Sequence, residues 1–178
     1  MMCAIDVTPT LATERLLLRG PVIADADRLA ELINDPGVAA MTTHMPHPYG
    51  LAHAEDFVAR AAARDWDREP TFVIEHHNFG VVGGLGFKTG ALGRPEIGYW
   101  LGRAFWNRGY ATEAARAALS WAKRDWRKKL VVAGHFADNP ASGQVLCKAG
   151  FLYTGDVELR WSQARQGPAR TRMMVWLA

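Results

Sequence analysis

The fold of this chain is decided by the stretch Glu96-Ile97-Gly98-Tyr99-Trp100-Leu101 and by the stretch that follows it, Trp106-Asn107-Arg108-Gly109-Tyr110-Ala111-Thr112-Glu113-Ala114. The first has the pattern of an apolar strand, and the second passes through a glycine turn into an alanine-rich helix. Backbone N–H groups at a helix N-terminus hold phosphate well, because they have no acceptor within the helix and lie at the positive end of its dipole. The order therefore predicts a phosphate cradle, with the carboxylate of Glu96 on the strand that leads to it. Together these features indicate acyl transfer from a cofactor that carries a pyrophosphate.

The composition is that of one soluble globular domain. The chain has 178 residues, of which 49% are hydrophobic and 22% are charged, and a chain of this length buries a substantial core. We therefore expect one domain over residues 1–178, with residues 1–12 as an N-terminal extension. No apolar run approaches the roughly 20 residues that cross a bilayer, so no membrane partner is expected. The net charge of +3 suits a ligand with several phosphates or an ordinary solvated surface, and it does not decide between them.

Signals for secretion and for metal binding are missing from the sequence. Residues 1–10 show no basic segment followed by an apolar core, which predicts no secretory signal. The two cysteines, Cys3 and Cys147, are too few for a disulfide framework or a cysteine-rich zinc site. The six histidines show no spacing typical of zinc enzymes. These observations predict a cytoplasmic protein without a bound metal.

Apolar patterning predicts a mixed α/β architecture. Helical spacing of apolar residues covers Leu29–Ile33, residues 53–66 and the segment after Gly109. A further helix is predicted after Asn139, a good N-cap, and Gly150 supplies its left-handed end. The expected fold is a mixed sheet with helices on both faces. Strand patterns cover residues 13–19, 71–76, 81–87, 96–101, 130–136, 151–160 and 171–177.

Several of these motifs resemble those of a known family. The run Trp106–Ala114 is similar to the acetyl-CoA-binding motif of the GNAT N-acetyltransferases, whose core is Gln/Arg-x-x-Gly-x-Gly/Ala. Asn139-x-x-Ser142 followed by Lys148–Phe151, and the opening Thr13–Arg19, resemble the Rim-type ribosomal-protein N-terminal acetyltransferases within that family. The chain departs from the core motif at Trp106, which stands at the Gln/Arg position. Asn107 replaces a common glycine, but asparagine adopts left-handed backbone more readily than most residues, so the turn is expected to survive.

The resemblance implies the GNAT acyl-CoA N-acyltransferase fold, with a mostly antiparallel central sheet that splays at the cofactor site. It implies acetyl-CoA as the acyl donor, with the pantetheine arm beside Glu96–Leu101 where that strand splays from Leu130–Phe136. An ordinary glycine turn and plain core strands are the structural alternatives. The cofactor-binding residues implied are Tyr99, Trp100, Leu101, Asn107, Arg108, Gly109, Tyr110, Ala111, Thr112, Asn139 and Ser142.

Two side chains are candidates for proton transfer. Glu96 matches the glutamate of histone-type members and is the candidate base, acting directly or through a water; a salt-bridged strand glutamate is the alternative. Ser142 is the candidate proton donor to the leaving thiolate, and a serine bonded locally at a helix start is its alternative. Leu146 stands where many GNAT enzymes have a tyrosine that protonates the thiolate, so this chain needs another donor.

The expected protein is an enzyme that transfers an acetyl group by direct attack of a primary amine, the α-amino group of a protein or peptide. The first alternative is an acceptor that is a small-molecule amine, such as an aminoglycoside, a polyamine or an amino acid. A weaker alternative is a non-catalytic acyl-CoA-binding module. Nucleic-acid binding through the basic run Lys123–Lys129 is not favoured, because the run is short and Asp125 interrupts it. Trp161 and Trp176 in the terminal strands leave a homodimer open.

Overall fold

The structure is a computed structural model that describes residues 9–63 and 65–178. Within these residues the helices are α1 (Ala26–Ile33), α2 (Pro36–Ala39), α3 (Leu51–Ala63), α4 (Tyr110–Arg124) and α5 (Pro140–Lys148). The strands are β1 (Leu11–Ala12), β2 (Leu16–Arg19), β3 (Thr71–His76), β4 (Gly80–Thr89), β5 (Pro95–Leu101), β6 (Leu130–Phe136), β7 (Leu152–Ser162) and β8 (Gly167–Leu177). The predicted mixed α/β architecture is therefore confirmed.

The strands form a single sheet whose order creates a gap at its centre. The order is β1-β2-β3-β4-β5-β6-β8-β7, and every neighbouring pair is antiparallel except β5 and β6, which are parallel. The ladder between β5 and β6 pairs Glu96 with Val132 and goes no further. Beyond Glu96 the two strands therefore diverge, which confirms the predicted splay. Along the edge of β5 that is turned toward β6, the backbone groups of Gly98–Leu101 therefore face the gap and have no neighbouring strand.

The N-terminal region is more broken than its sequence pattern. The sequence pattern predicts one strand over residues 13–19, but β2 begins at Leu16 and a separate β1 pairs with it. The reason is a turn at Thr13, whose backbone N–H and hydroxyl both donate to the carbonyl of Leu16. The expected extension begins with residues 1–8, which lie outside the described residues, and its end contributes β1.

Helix α4 packs through its smallest side chains. Ala114, Ala115, Ala118 and Ala122 are all fully buried, and α4 contacts β1, β2 and β5. Trp121 on the same helix packs edge-on against Phe72 of β3 at a ring distance of 5.8 Å. Alanines let the helix axis approach the sheet closely, which brings the N-terminus of α4 to the end of β5. In the described part of the chain, no helix combines the length and apolarity that crossing a bilayer requires.

Candidate functional site

The turn between β5 and α4 lies where the sequence predicts the phosphate cradle. Asn107 and Gly109 both adopt left-handed backbone, with φ of 59° and 80°. Asparagine and glycine enter this region at least cost, so the local sequence determines the turn. Gly109 precedes the first residue of α4, and its carbonyl accepts the first helical bond from the N–H of Glu113 at 3.0 Å. The N–H groups of Tyr110, Ala111 and Thr112 are left without intrahelical acceptors, as phosphate binding requires.

Trp106 and Arg15 fix this turn from two sides. The indole N–H of Trp106 donates to the carbonyl of Leu101 at 2.8 Å, which ties the loop to the end of β5. The guanidinium of Arg15 donates to the carbonyl of Arg108 at 3.1 Å and lies over the ring of Tyr110 at 4.7 Å. Tryptophan at the usual Gln/Arg position of the motif therefore has a structural role in this chain.

Glu113 connects the start of α4 to the N-terminal strands. Its carboxylate accepts from the hydroxyl of Thr13 at 2.6 Å, from the backbone N–H of Arg15 at 3.0 Å and from the Arg15 guanidinium at 2.8 Å. Burial would by itself raise the pKa of Glu113, but these hydrogen bonds outweigh burial and hold the pKa below its ordinary value. An ionised carboxylate in the first helical turn also suits the helix dipole.

Replacing Glu113 with glutamine is expected to destabilise the protein by about 1–2 kcal/mol, because hydrogen bonds to charged groups are lost and Arg15 keeps its charge. For a chain of this size the thermal midpoint should fall by about 2–8 °C. The folded-state pKa of Glu113 lies below 4.5, its ordinary value, so the contribution is complete above pH 4.5 and is lost as the pH falls further. Thermal denaturation at pH 7 measures the effect. Glu14→Gln, which changes an exposed neighbour, should leave the midpoint unchanged, and an equal loss in both variants would contradict the assignment.

A cavity of about 350 Å³ lies in the gap between β5 and α5 and opens onto the cradle. Its walls combine residues from the end of β5, the turn, the first turn of α4 and the start of α5. This shape and the free helix N-terminus suit an elongated ligand that carries phosphate. Arg108 does not line it; its carbonyl instead accepts from Arg15. The predicted cofactor residues that do line it are Tyr99, Trp100, Leu101, Asn107, Gly109, Tyr110, Ala111, Thr112, Asn139 and Ser142.

A second cavity of about 240 Å³ adjoins the first. Gly98 lies on its wall, and a Cβ built on Gly98 would meet nothing within 4 Å. Glu96 also lines this cavity, with 7% of its surface exposed. Arg160 binds both carboxylate oxygens of Glu96 at 2.5 and 3.2 Å, and the Lys88 ammonium lies 3.5 Å from one of them. Sequence reasoning identified Glu96 as a candidate site residue but did not identify Arg160 or Lys88. The role of Glu96 as a base stays a prediction.

His135 is another titratable group on this second cavity, and both of its ring nitrogens are engaged. Nδ1 lies 2.9 Å from the carbonyl oxygen of Phe136, which only accepts, so we assign the hydrogen to Nδ1. Nε2 lies 3.0 Å from the hydroxyl of Tyr153 and forms a hydrogen bond with it. His135 is therefore a hydrogen-bonded wall residue, and Glu96 carries the cavity's carboxylate.

The two cavities meet at Tyr99 and Ser142. Both residues line both cavities, and the hydroxyl of Tyr99 lies 3.0 Å from the Oγ of Ser142. Asn139 is the N-cap of α5, as predicted, and its side chain accepts from the N–H of Ser142 at 3.2 Å. The cap fixes Ser142 in the first turn of α5. The two cavities therefore share a wall at these two hydroxyls.

Sequence reasoning did not identify residues 41–42 as part of the site. Met41 and Thr42, which follow α2, line both cavities. Arg165, in the turn between β7 and β8, donates to the carbonyl of Ala40 at 2.6 Å and to Asp138 at 2.7 and 3.1 Å. The Arg165 guanidinium holds the pKa of Asp138 below its ordinary value. No local sequence pattern predicts these contacts, because Arg165 is far in sequence from Ala40 and Asp138.

The structure places the aromatic residue of the basic run and the two tryptophans of the terminal strands. Trp126, the aromatic residue of the basic run, donates its indole N–H to the carbonyl of Asp67 at 2.6 Å and stacks on Trp121. Trp161 on the edge strand β7 is 53% exposed, whereas Trp176 packs against the core. The homodimer stays a prediction.

Among residues 9–63 and 65–178, no three His, Cys, Asp or Glu side chains are grouped so that they could hold a metal ion.

Comparisons with known proteins fit this geometry. The family model described as acetyltransferase (GNAT) domain matches residues 15–152. The uncharacterized N-acetyltransferase p20 of Bacillus licheniformis is 32% identical over 116 residues, which cover 63% of this chain and 65% of that protein. The match therefore spans just under two thirds of that relative's length.

Solved structures share the fold over almost the whole chain. The microcin C7 self-immunity acetyltransferase MccE, in complex with acetyl-CoA and AMP, superimposes with a TM-score of 0.82 at 18% identity. That match covers 98% of this chain and 99% of MccE. RimL, a ribosomal L7/L12 α-N-protein acetyltransferase in complex with coenzyme A, gives a TM-score of 0.81 at 17% identity, covering 95% of this chain and 98% of RimL. At these identities the likeness concerns the fold.

Proposed function

Since the chain belongs to the GNAT acetyltransferase family, we propose that it transfers an acetyl group from acetyl-CoA to the α-amino group of a protein or peptide. The observation that carries the proposal is the meeting of two cavities at Tyr99 and Ser142. The cavity of about 350 Å³ opens onto the turn between β5 and α4, where phosphate would bind, and we call it the cofactor cavity. The cavity of about 240 Å³ ends in the charged cluster around Glu96, and we call it the acceptor cavity. Such a pair suits a two-substrate transfer better than a binding module with a single ligand.

The donor would lie along the splay between β5 and β6. Its pyrophosphate would receive the N–H groups at the start of α4, and the left-handed turn at Asn107 and Gly109 directs the backbone toward it. Its pantetheine arm would hydrogen-bond the backbone of Tyr99–Leu101, which faces the gap. A fixed N–H donor there stabilises the thioester oxygen most when negative charge develops on it in the transition state.

The charged cluster at Glu96 favours an acceptor amine that loses its proton easily. Glu96 is the candidate base, but its carboxylate is already held by the Arg160 guanidinium and lies 3.5 Å from the Lys88 ammonium. An α-amino group, whose pKa is about 7.7–8.0, depends less on such a base than a lysine side chain, whose pKa is about 10.4, because more of it is already neutral at pH 7. RimL, which shares the fold, acts on a protein α-amino group, and that supports the same choice of acceptor.

Replacing Glu96 with glutamine is expected to lower kcat/KM for the acceptor about tenfold at pH 7. The deficit should shrink to less than about twofold at pH 9, because the acceptor amine is then deprotonated by the solvent itself. A rate profile from pH 6 to 9.5 measures both values. Glu158→Gln is the matched control, since Glu158 also binds Arg160, at 2.9 Å, but does not line the cavity. A deficit that stays constant with pH, or equal deficits in both variants, would rule out Glu96 as the base.

The acceptor is tested by thiol release from acetyl-CoA against a panel of amines. The panel holds peptides with a free N-terminus and the same peptides with the N-terminus blocked. It also holds N-terminally blocked peptides that contain a lysine with a free side chain, aminoglycosides, polyamines and amino acids. The proposal expects turnover that requires the free N-terminus. Turnover confined to a small amine would instead assign the small-molecule alternative. Acetyl-CoA binding without turnover of any amine would contradict the proposed acetyl transfer.

A further inference from the structure

The hydroxyl of Tyr99 has an unusual position for a strand residue. It reaches across the gap between β5 and α5 and lies 3.0 Å from both the Oγ and the backbone carbonyl oxygen of Ser142. The two residues are 43 positions apart in sequence, and they meet because β5 and α5 border the same splay. The contact therefore lies where the two cavities join, beside the expected position of the thioester.

Ser142 needs such a partner if its hydroxyl is to act in one direction. Asn139 fixes the backbone of Ser142 through its N–H at 3.2 Å, but it leaves the side chain free to rotate. A serine hydroxyl near a helix start readily turns to bond its own backbone instead. Leu146, on the same helix and on the acceptor-cavity wall, is apolar and supplies no hydroxyl. The Tyr99 hydroxyl lies 3.0 Å from the Oγ of Ser142, and when it donates its hydrogen to the Oγ, the hydrogen of Ser142 stays free for another acceptor.

We propose that Tyr99 is a positioning residue that holds the Ser142 hydroxyl in reach of the thioester sulfur. This inference rests on the proposed function. The amine nitrogen forms a bond to the thioester carbon, and the carbonyl electrons move to oxygen. As they return, the carbon–sulfur bond breaks, its electron pair moves to sulfur, and the sulfur takes the proton of Ser142. A water then returns to Ser142 the proton that the attacking amine gave up, so the net proton transfer runs from nitrogen to sulfur. Tyr99 keeps its proton throughout.

The environment of Tyr99 agrees with a residue that orients without ionising. Burial raises the pKa of Tyr99 above its ordinary value of 10.0, and the hydrogen bond with Ser142 opposes this only in part. The phenol is therefore protonated at every pH at which the protein would work. Its hydrogen bond to Ser142 is consequently available throughout that range.

The test is a double-mutant cycle of Tyr99→Phe, Ser142→Ala and the double variant. Phenylalanine keeps the ring and removes only the hydroxyl. We expect Tyr99→Phe to lower kcat about tenfold, because a misplaced catalytic group loses rate steeply, while KM for acetyl-CoA changes less than twofold. If Tyr99 acts through Ser142, the double variant should be no slower than Ser142→Ala. Thermal midpoints of all four proteins confirm that each is folded.

Two results would overturn the inference. Either Tyr99→Phe keeps the wild-type kcat, or the two losses multiply in the double variant and KM for acetyl-CoA rises with them. The second result would mean that Tyr99 supports the start of α5 in general. The slow release of thiol from acetyl-CoA by water, without any amine, is measured in parallel because it uses the same leaving group. It reads the Tyr99–Ser142 pair even if every amine in the panel fails, so failure of the inference and failure of the proposed function are distinguishable.

Discussion

Thr112→Asp is expected to weaken acetyl-CoA binding about 100-fold relative to Thr112→Asn, because it places a negative charge beside the pyrophosphate and like charges in contact cost several kcal/mol. Thr112 lies in the first turn of α4 and lines the cofactor cavity. Without ligand, the same aspartate should raise stability by about 0.3–1 kcal/mol, since a carboxylate is favourable at a helix N-terminus. Calorimetric titration with acetyl-CoA and thermal denaturation measure the two effects.

The opposite signs make Thr112→Asp informative. Aspartate and asparagine have nearly the same size, so any steric effect appears in both variants and cancels in their ratio. A protein that is at least as stable as Thr112→Asn, yet binds acetyl-CoA far less tightly, places the pyrophosphate at the start of α4. Equal affinities in the two variants would show that the phosphates bind elsewhere.

Gly98→Val is expected to lower kcat/KM for the acceptor at least 100-fold, because the valine methyl groups would occupy the space in which the amine must approach the thioester. Gly98 lies in the middle of β5, opposite Gly86 of β4, and nothing lies within 4 Å of a Cβ built there. The fold therefore accepts the side chain, and the thermal midpoint should stay the same or rise, since valine favours strands and glycine does not. Initial rates with varied peptide measure the loss.

Acetyl-CoA binding separates this effect from a damaged cofactor site. Gly98 lines the acceptor cavity but not the cofactor cavity, so the dissociation constant of acetyl-CoA should change less than about threefold. Gly98→Ala, with a single methyl group, should show an intermediate loss of rate. A fully active Gly98→Val would mean that the acceptor does not use this cavity.

Local sequence was sufficient wherever local chemistry determines the structure. The turn at Asn107 and Gly109 follows from the two residue types that enter left-handed backbone most easily. The start of α5 follows from Asn139, whose side chain caps the helix as its residue type predicts. Strands β3 and β6 have the boundaries that their apolar patterns give. These elements carry most of the proposed cofactor site.

The acceptor side was less predictable, because it is built from distant segments. Arg160 of β7 reaches Glu96 of β5 over 64 positions, and this depends on β7 and β8 continuing the sheet beyond β6. Alternation along a strand states which residues share a face, but not which strands are neighbours or in what register. The pairing of Tyr99 with Ser142 has the same origin. Sequence patterns therefore identified side chains such as Glu96 and Ser142 but not the residues that contact them.

The most direct measurement is the intact mass and fragment spectrum of a peptide with a free N-terminus and one internal lysine, incubated with acetyl-CoA and the protein. Our account predicts one added acetyl group, located on the α-amino nitrogen, formed with release of one equivalent of thiol. The Gly98→Val variant should bind acetyl-CoA and leave the peptide unchanged. Acetylation of the lysine side chain, or no acetylation while acetyl-CoA binds, would contradict the account.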